Sequence, residues 1–186
     1  MTEILRTAHT FELSQAELTE IRALLDAAFE GGFSDEDWDH GLGGVHALVR
    51  DPDGTLLAHG SVVQRRVLHD GRSYRVGYVE AVGVRADRRR RGLGDRVMEV
   101  LERVIDGAYD AGALSASEDG ARLYRARGWQ SWPHRIEVLA PGGVVRLPDE
   151  EGSTYLRPAA GRPLPGPASP GDDTALVFDW RDGDVM

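Results

Sequence analysis

The chain contains no cysteine and no lysine. The first absence excludes disulfides, zinc–thiolate centres and a cysteine nucleophile, and it suits a reducing compartment. Together they leave neither a thiol nor a side-chain amine to carry an acyl group, so any acyl transfer is expected to be direct. No apolar run is long enough to span a bilayer, and the first six residues carry charge without an apolar stretch. Neither a membrane segment nor a signal peptide is therefore expected, and a cytoplasmic location is. Histidines stand at positions 9, 40, 46, 59, 69 and 134 without metal-ligand spacing or an HExxH helix, so no metal is expected. Neither Ser115 nor Ser117 lies in a Gly-x-Ser-x-Gly elbow, which argues against a serine hydrolase. Acidic residues outnumber basic ones, 31 to 22, and the resulting net charge of −9 disfavours nucleic acid as a partner.

What is present is ordinary for a globular α/β protein. The 186 residues are 41% hydrophobic and 28% charged, enough for one domain spanning residues 1–186. Residues 3–12 read as a strand. Ser14-Gln-Ala-Glu17 is a capping box that opens a helix with Leu18, Ile21, Leu24, Leu25 and Phe29 on one face. Ser34 begins a short acidic turn or helix. Val45–Arg50 and Thr55–Val67 form a predicted hairpin around Asp53-Gly54, and Asp70-Gly71 turns into a strand over 73–84. Val97, Val100, Leu101, Val104, Ile105 and Ala108 make one helical stripe. Further predicted elements are a strand at 113–117, a short helix at 119–127 and a strand over 129–139. Residues 141–173, rich in proline and glycine, read as a linker or as a loop lying over the core. Thr174–Trp180 reads as a strand returning to the sheet, followed by a tail to residue 186. The order of elements indicates an α/β (α+β) fold with a mixed central sheet flanked by helices. The tryptophans at 38, 129, 132 and 180 read as core or rim aromatics, and Trp38 is also a candidate to stack on a sugar ring.

The most informative run is Arg85-Ala-Asp-Arg-Arg-Arg-Arg-Gly-Leu-Gly-Asp95, between the strand ending at Val84 and the long helix. A basic, glycine-bearing turn at a helix start is a receptor for phosphates. The first-turn N–H groups point outward, the helix dipole adds positive charge, and glycine lets an anion approach the main chain. Arginine adds bidentate contacts to phosphate oxygens.

Arg89-x-x-Gly92-x-Gly94 resembles the pyrophosphate-binding pattern of the GNAT N-acetyltransferases. The resemblance implies a mostly antiparallel mixed sheet and acetyl-CoA as cosubstrate. Arg89, Arg90, Arg91, Gly92, Leu93 and Gly94 would hold the pyrophosphate, and the main chain of Val82 and Val84 the pantetheine arm. Gly83 suits a bulge or a close backbone approach in that strand. Ala121-x-Leu-Tyr124-x-x-x-Gly-Trp129 resembles the last motif of the same family, in which Tyr124 would be the general acid for the leaving thiolate. Glu80, an acid in an apolar strand just before the pantetheine segment, is the candidate general base or ligand of the substrate amine.

Several segments resemble, more narrowly, the aminoglycoside 2′-N-acetyltransferases. These include Phe33-x-x-x-Asp37-Trp38, Leu42-Gly-Gly-x-His-Ala47, Gln64-Arg-Arg66, Gly77-Tyr-Val-Glu80 and Asp179-Trp-Arg-x-Gly-Asp-Val185. That resemblance implies an aminoglycoside held by Asp37, Glu80, Glu150 and Asp184, with Ser115 and the terminal carboxylate of Met186 nearby. It also implies a homodimer. Two departures stand out. Gly32 replaces an expected acid, and Met186 an expected aromatic residue. Acidic clusters at 35–39, 149–151 and 179–184 suit a polycationic substrate. The other readings are a GNAT enzyme for another polyamine or amino sugar, and a non-catalytic module that binds aminoglycoside or acetyl-CoA.

Overall fold

The computed structural model describes residues 3–164, 166 and 174–183. Its strands form a mixed sheet, and the chain divides into two compact units. One comprises residues up to Val63 with Val79–Val104; the other comprises Gln64–Tyr78 and the residues from Ile105 onward.

In the first unit, β1 (Ile4–His9) pairs antiparallel with β2 (Val45–Arg50), which pairs antiparallel with β3 (Leu56–His69). The β2–β3 turn closes where Asp51 Oδ1 accepts from the N–H groups of Asp53 and Thr55. A 3-10 turn over Thr10–Glu12 ends β1 earlier than the sequence pattern implies, because His9 and Glu12 form a capping box there. Helix α1 (Gln15–Ala28) starts at the Ser14–Glu17 capping box and buries Ile21, Leu24 and Leu25. Helix α2 (Asp35–His40) starts at a second box, in which Ser34 Oγ accepts from Asp37 N–H and the Asp37 carboxylate accepts from Ser34 N–H.

The end of β4 (Arg72–Val84) and the start of helix α3 (Leu93–Ala108) complete this unit. Two close approaches set the helices on opposite faces of the sheet. A Cβ on Gly60 would stand 2.7 Å from Val97 of α3, and one on Gly83 would stand 2.9 Å from Leu25 of α1. Val97 and Leu101 of α3 are fully buried, worth about 1.5–3 kcal/mol each. Gly60→Val would push α3 off the sheet.

In the second unit the strand order is β6-β9-β5-β4-β3-β10-β7-β8. Here β5 (Ala111–Ser115) runs parallel to β4, and β9 (Thr154–Pro158) antiparallel to β5 and to β6 (Gln130–Ser131). On the other side β10 (Leu176–Asp179) is antiparallel to β3 and parallel to β7 (Ile136–Ala140), which pairs antiparallel with β8 (Gly143–Arg146). Helix α4 (Glu118–Ala126) follows β5, with Ser117 as its N-cap. The Arg65 guanidinium, 1% exposed, lies 4.9 Å from the Tyr78 ring centroid and 5.0 Å from that of Phe178. Its Nε bonds Asp179 at 2.8 Å, fastening β10 to β3.

Two further stretches differ from the expectation set by sequence pattern. The single strand over 129–139 is split into β6 and β7, which lie toward opposite ends of the strand order. Pro133 supplies no N–H for a ladder, and Trp132 turns inward with its Nε1–H on the Arg135 carbonyl. Residues 141–173 are not simply a linker or covering loop: they contain β8, a 3-10 turn at Pro148–Glu150, and β9. Thr154, Tyr155 and Leu156 are buried in the interior of the sheet, whose partners override a segment of weak local pattern. The returning strand falls at β10 as expected. No helix among the described residues is long and apolar enough to cross a membrane.

Candidate active site

The strand that carries Glu80, Val82 and Val84 is bent. Ala81 has φ 52°, a left-handed conformation that residues with a Cβ avoid. The irregularity anticipated near Gly83 thus falls at Ala81, and Gly83 serves as the close-approach residue against α1. Glu80, Val82 and Val84 are half-buried around the bend. His59, 1% exposed on β3, lies 3.0 Å from the Ala81 carbonyl through Nδ1.

Beyond Val84 the basic run is sorted by its own contacts. Arg85 chelates Asp87 with two 3.0 Å bonds, and Arg88 lies 3.6 Å from the same carboxylate. These bonds, that of Arg85 foremost, hold the Asp87 carboxyl below its usual range. Arg89 donates to the Ala28 carbonyl at the end of α1 at 2.8 Å. Arg90 and Gly92 have φ 59° and 79°, Arg91 between them is exposed, and Leu93 is buried as the anchor of the turn. Left-handed residues beside a helix start are the kind of backbone that gathers N–H groups into an anion nest. Nothing stands within 4 Å of where a Gly92 Cβ would be, so the surface there is open. An open, basic turn at a helix start suits an anionic group.

Asp37, also in this unit, is half-buried at the third position of α2. Its carboxylate caps its own helix, closing the same Ser-x-x-acid pattern that opens α1. Trp38 packs on the cluster containing Ile21, Leu25, Phe33 and Leu48, as a core aromatic does.

In the second unit, Ser115 Oγ donates to Glu150 Oε2 at 2.7 Å. Ser153 Oγ lies 2.9 Å from the same oxygen and 3.0 Å from the Glu150 carbonyl, sharing its single proton between them. Tyr124, 8% exposed on α4, packs edge-on to Trp129 with ring centroids 6.2 Å apart. A Cβ on Gly120 would lie 3.2 Å from the Tyr124 ring, so the glycine one turn earlier gives the ring its place. Asp184 and Met186 lie outside the described residues. No group of three or more metal-ligating side chains occurs among the described residues.

Metal-ligand spacing passes over His46 and His59, yet the two meet in the fold. Both are buried, His46 Nδ1 and His59 Nε2 are 2.9 Å apart, and Thr10 Oγ1 is 2.8 Å from His46 Nε2. The available signal is two histidines at inward positions of a predicted hairpin: in its register His46 faces Ser61 and His59 faces Leu48, so the rings are diagonal neighbours.

Residues 10–131 match the family described as "Acetyltransferase (GNAT) domain". The chain is 44% identical, over 97% of its length and 90% of the relative's, to a curated aminoglycoside 2′-N-acetyltransferase of Mycolicibacterium fortuitum. Among solved structures it resembles the GNAT-family N-acetyltransferase YhbS of Escherichia coli in complex with CoA, with TM-score 0.64, 17% identity, and 95% of this chain and 89% of that one covered. It also resembles Eis1 of Mycobacterium abscessus, with TM-score 0.60 and 20% identity over 73% of this chain, which spans only 33% of that protein. Strand order, family match and full-length identity converge: the chain is an acetyltransferase of the GNAT superfamily and belongs within it to the aminoglycoside 2′-N-acetyltransferase family.

Proposed function

We propose that the chain transfers acetyl directly from acetyl-CoA to the 2′ amine of aminoglycoside antibiotics and so confers resistance to them. The observation that carries this reading is the bend at Ala81, flanked by Glu80 and Val82, in the strand that leads to the Gly92 nest at the start of α3. The nest and Arg89–Gly94 receive pyrophosphate, with the α3 N-terminus adding favourable potential. The main chain at Val82 and Val84 pairs with the pantetheine arm, and a backbone N–H beside the bend polarises the thioester carbonyl. Glu80 accepts the proton of the attacking amine, directly or through one water, because only a neutral amine is a nucleophile. Tyr124 protonates the departing thiolate. Asp37, Glu80, Glu150, Asp184 and the terminal carboxylate of Met186 match the charges of a polycationic sugar, with Ser115 as a polar neighbour.

The enzyme is further proposed to be a cytoplasmic homodimer. Exposed apolar side chains on one sheet face of the second unit support assembly: Leu139 and Val144 face each other across β7 and β8 and are 50% and 56% exposed, and Leu68 on β3 is 42% exposed.

A thiol-release assay over aminoglycosides, polyamines and short peptides tests the activity. Release is expected with aminoglycosides bearing a 2′ amine and not with those bearing a 2′ hydroxyl. Release with polyamines alone would replace the antibiotic reading, and acetyl-CoA binding without turnover on any amine would make the chain a binding module.

A further inference from the structure

A continuous hydrogen-bonded chain runs through the first unit and ends on the bend in β4. Its direction follows from the acceptor at that end. The Ala81 carbonyl can only accept, so the proton lies on His59 Nδ1. Burial, reinforced by the neighbouring His46, pushes His59 down to about 3, and burial, with His9 nearby, pushes His46 down to about 4, so both rings are neutral. His59 Nε2 is then an acceptor and takes the Nδ1–H of His46 at 2.9 Å. His46 Nε2 in turn accepts from Thr10 Oγ1 at 2.8 Å. Thr10 Oγ1 accepts from Gly43 N–H at 2.8 Å, and Thr10 N–H donates to the Gly44 carbonyl at 3.0 Å. Every ring nitrogen has one partner, so the tautomers are determined throughout.

The two ends of this chain are informative. Gly43 and Gly44 follow α2, the helix that carries Asp37, and Gly41 at the end of α2 sits against Ala81 itself: a Cβ there would lie 3.6 Å from Ala81 Cβ. Ala81 is held in a left-handed conformation without being glycine, which requires its surroundings to over-determine it. A buried polar pair on neighbouring strands would be replaced at little cost by aliphatic residues if only packing were needed.

We propose that His59, backed by His46 and Thr10, is a positioning residue that holds the Ala81 carbonyl, keeps the β4 bend in its left-handed state, and thereby aims Glu80 and the Val82 main chain for acetyl transfer. The proposal rests on the roles given above to Glu80 and Val82. Both histidines are buried, and no proton leaves along the chain, because it terminates on a carbonyl. Loss of the bond lets Ala81 relax toward extended backbone, which turns Glu80 and realigns the strand.

The test is a four-variant set read by steady-state kinetics and by the backbone 13C chemical shifts of residue 81. His59→Leu removes the bond, His59→Asn retains a donor near the Nδ1 position, Ala81→Gly relieves the conformational penalty, and His59→Leu/Ala81→Gly combines two of these. His59→Leu is expected to lower kcat by about 10- to 100-fold with a change in KM below about threefold, and to move the Ala81 shifts toward extended values. His59→Asn should stay within about threefold of wild type, and Ala81→Gly in the His59→Leu background should recover at least about tenfold in kcat. Simple core damage would not be rescued by Ala81→Gly. If His59→Leu does not fold, Thr10→Val breaks the same chain at its outer end and is judged by the same criteria.

Unchanged Ala81 shifts in a folded His59→Leu or Thr10→Val variant overturn the proposal, as does failure of Ala81→Gly to recover any turnover. If instead the shifts move as expected while wild-type protein acetylates no aminoglycoside, the substrate reading fails and the positioning role stands.

Discussion

The Ser115 hydroxyl and the Glu150 carboxylate, 35 residues apart in sequence, are joined by a 2.7 Å hydrogen bond. With Ser153 donating to the same oxygen, the Glu150 rotamer is fixed before any substrate arrives. Glu150→Gln and Asp37→Asn are each expected to weaken binding of an aminoglycoside by about 1–3 kcal/mol, the scale of a lost charge-assisted hydrogen bond. Acetyl-CoA affinity should be unaffected. The loss should shrink as salt rises, since screening already weakens the wild-type attraction. Calorimetric titrations at two ionic strengths check this, and wild-type affinity in both variants at low salt would make these carboxylates ordinary solvated surface.

Gly92 illustrates a substitution whose cost lies in the main chain. Its φ of 79° is unfavourable for any residue with a Cβ, yet no neighbour stands within 4 Å of that Cβ. Gly92→Val is expected to leave the protein folded, to lower its stability by about 1–2 kcal/mol, and to raise KM for acetyl-CoA by roughly tenfold or more by deforming the nest. Titration of acetyl-CoA into the folded variant decides the matter: unchanged affinity would remove the phosphate role from this turn.

Tyr124→Phe preserves the ring that packs on Trp129 and deletes only the hydroxyl. Turnover should fall about ten- to a thousandfold while the dissociation constants of both substrates stay near wild type, the pattern of a lost general acid. Near-normal turnover across the pH range would reduce Tyr124 to a packing residue.

The two buried histidines also set a pH dependence of stability. Their folded values of about 3 for His59 and about 4 for His46 lie below the 6.5 of a free histidine. Below that value the unfolded chain binds more protons than the folded one, so stability falls as pH drops from about 6.5 toward 3 and receives no pH-dependent contribution from them above it. Denaturant melts at pH 7, 5.5 and 4.5 are expected to show this decline, with a shallower slope in His59→Asn. Equal slopes in the two proteins would mean that His59 does not titrate on unfolding.

Much of the frame is legible without coordinates because it is written in local chemistry. The Ser14–Glu17 capping box, the apolar stripe of α3 and the Asp53-Gly54 turn each specify an element through neighbours at most a few residues away. The basic turn before α3 is equally local, since a glycine at a helix start carries its own conformational freedom. Segments outside these patterns depend on distant partners. β9 has a weak pattern of its own and is a strand because β5 and β6 supply its hydrogen-bond partners.

The sequence alone therefore determined the helices, the hairpins, the basic turn and the family, since those depend on spacing within short windows or on residues matched along the chain. Only the tertiary structure decided that the left-handed bend falls at Ala81 rather than Gly83, that Ser115 meets Glu150, and that His59 and His46 end on the bend. The physical reason is the same in each case. Backbone conformation at a strained residue and the partner of a buried polar group are set by atoms that packing brings close from distant positions, and spacing along the chain does not encode those distances.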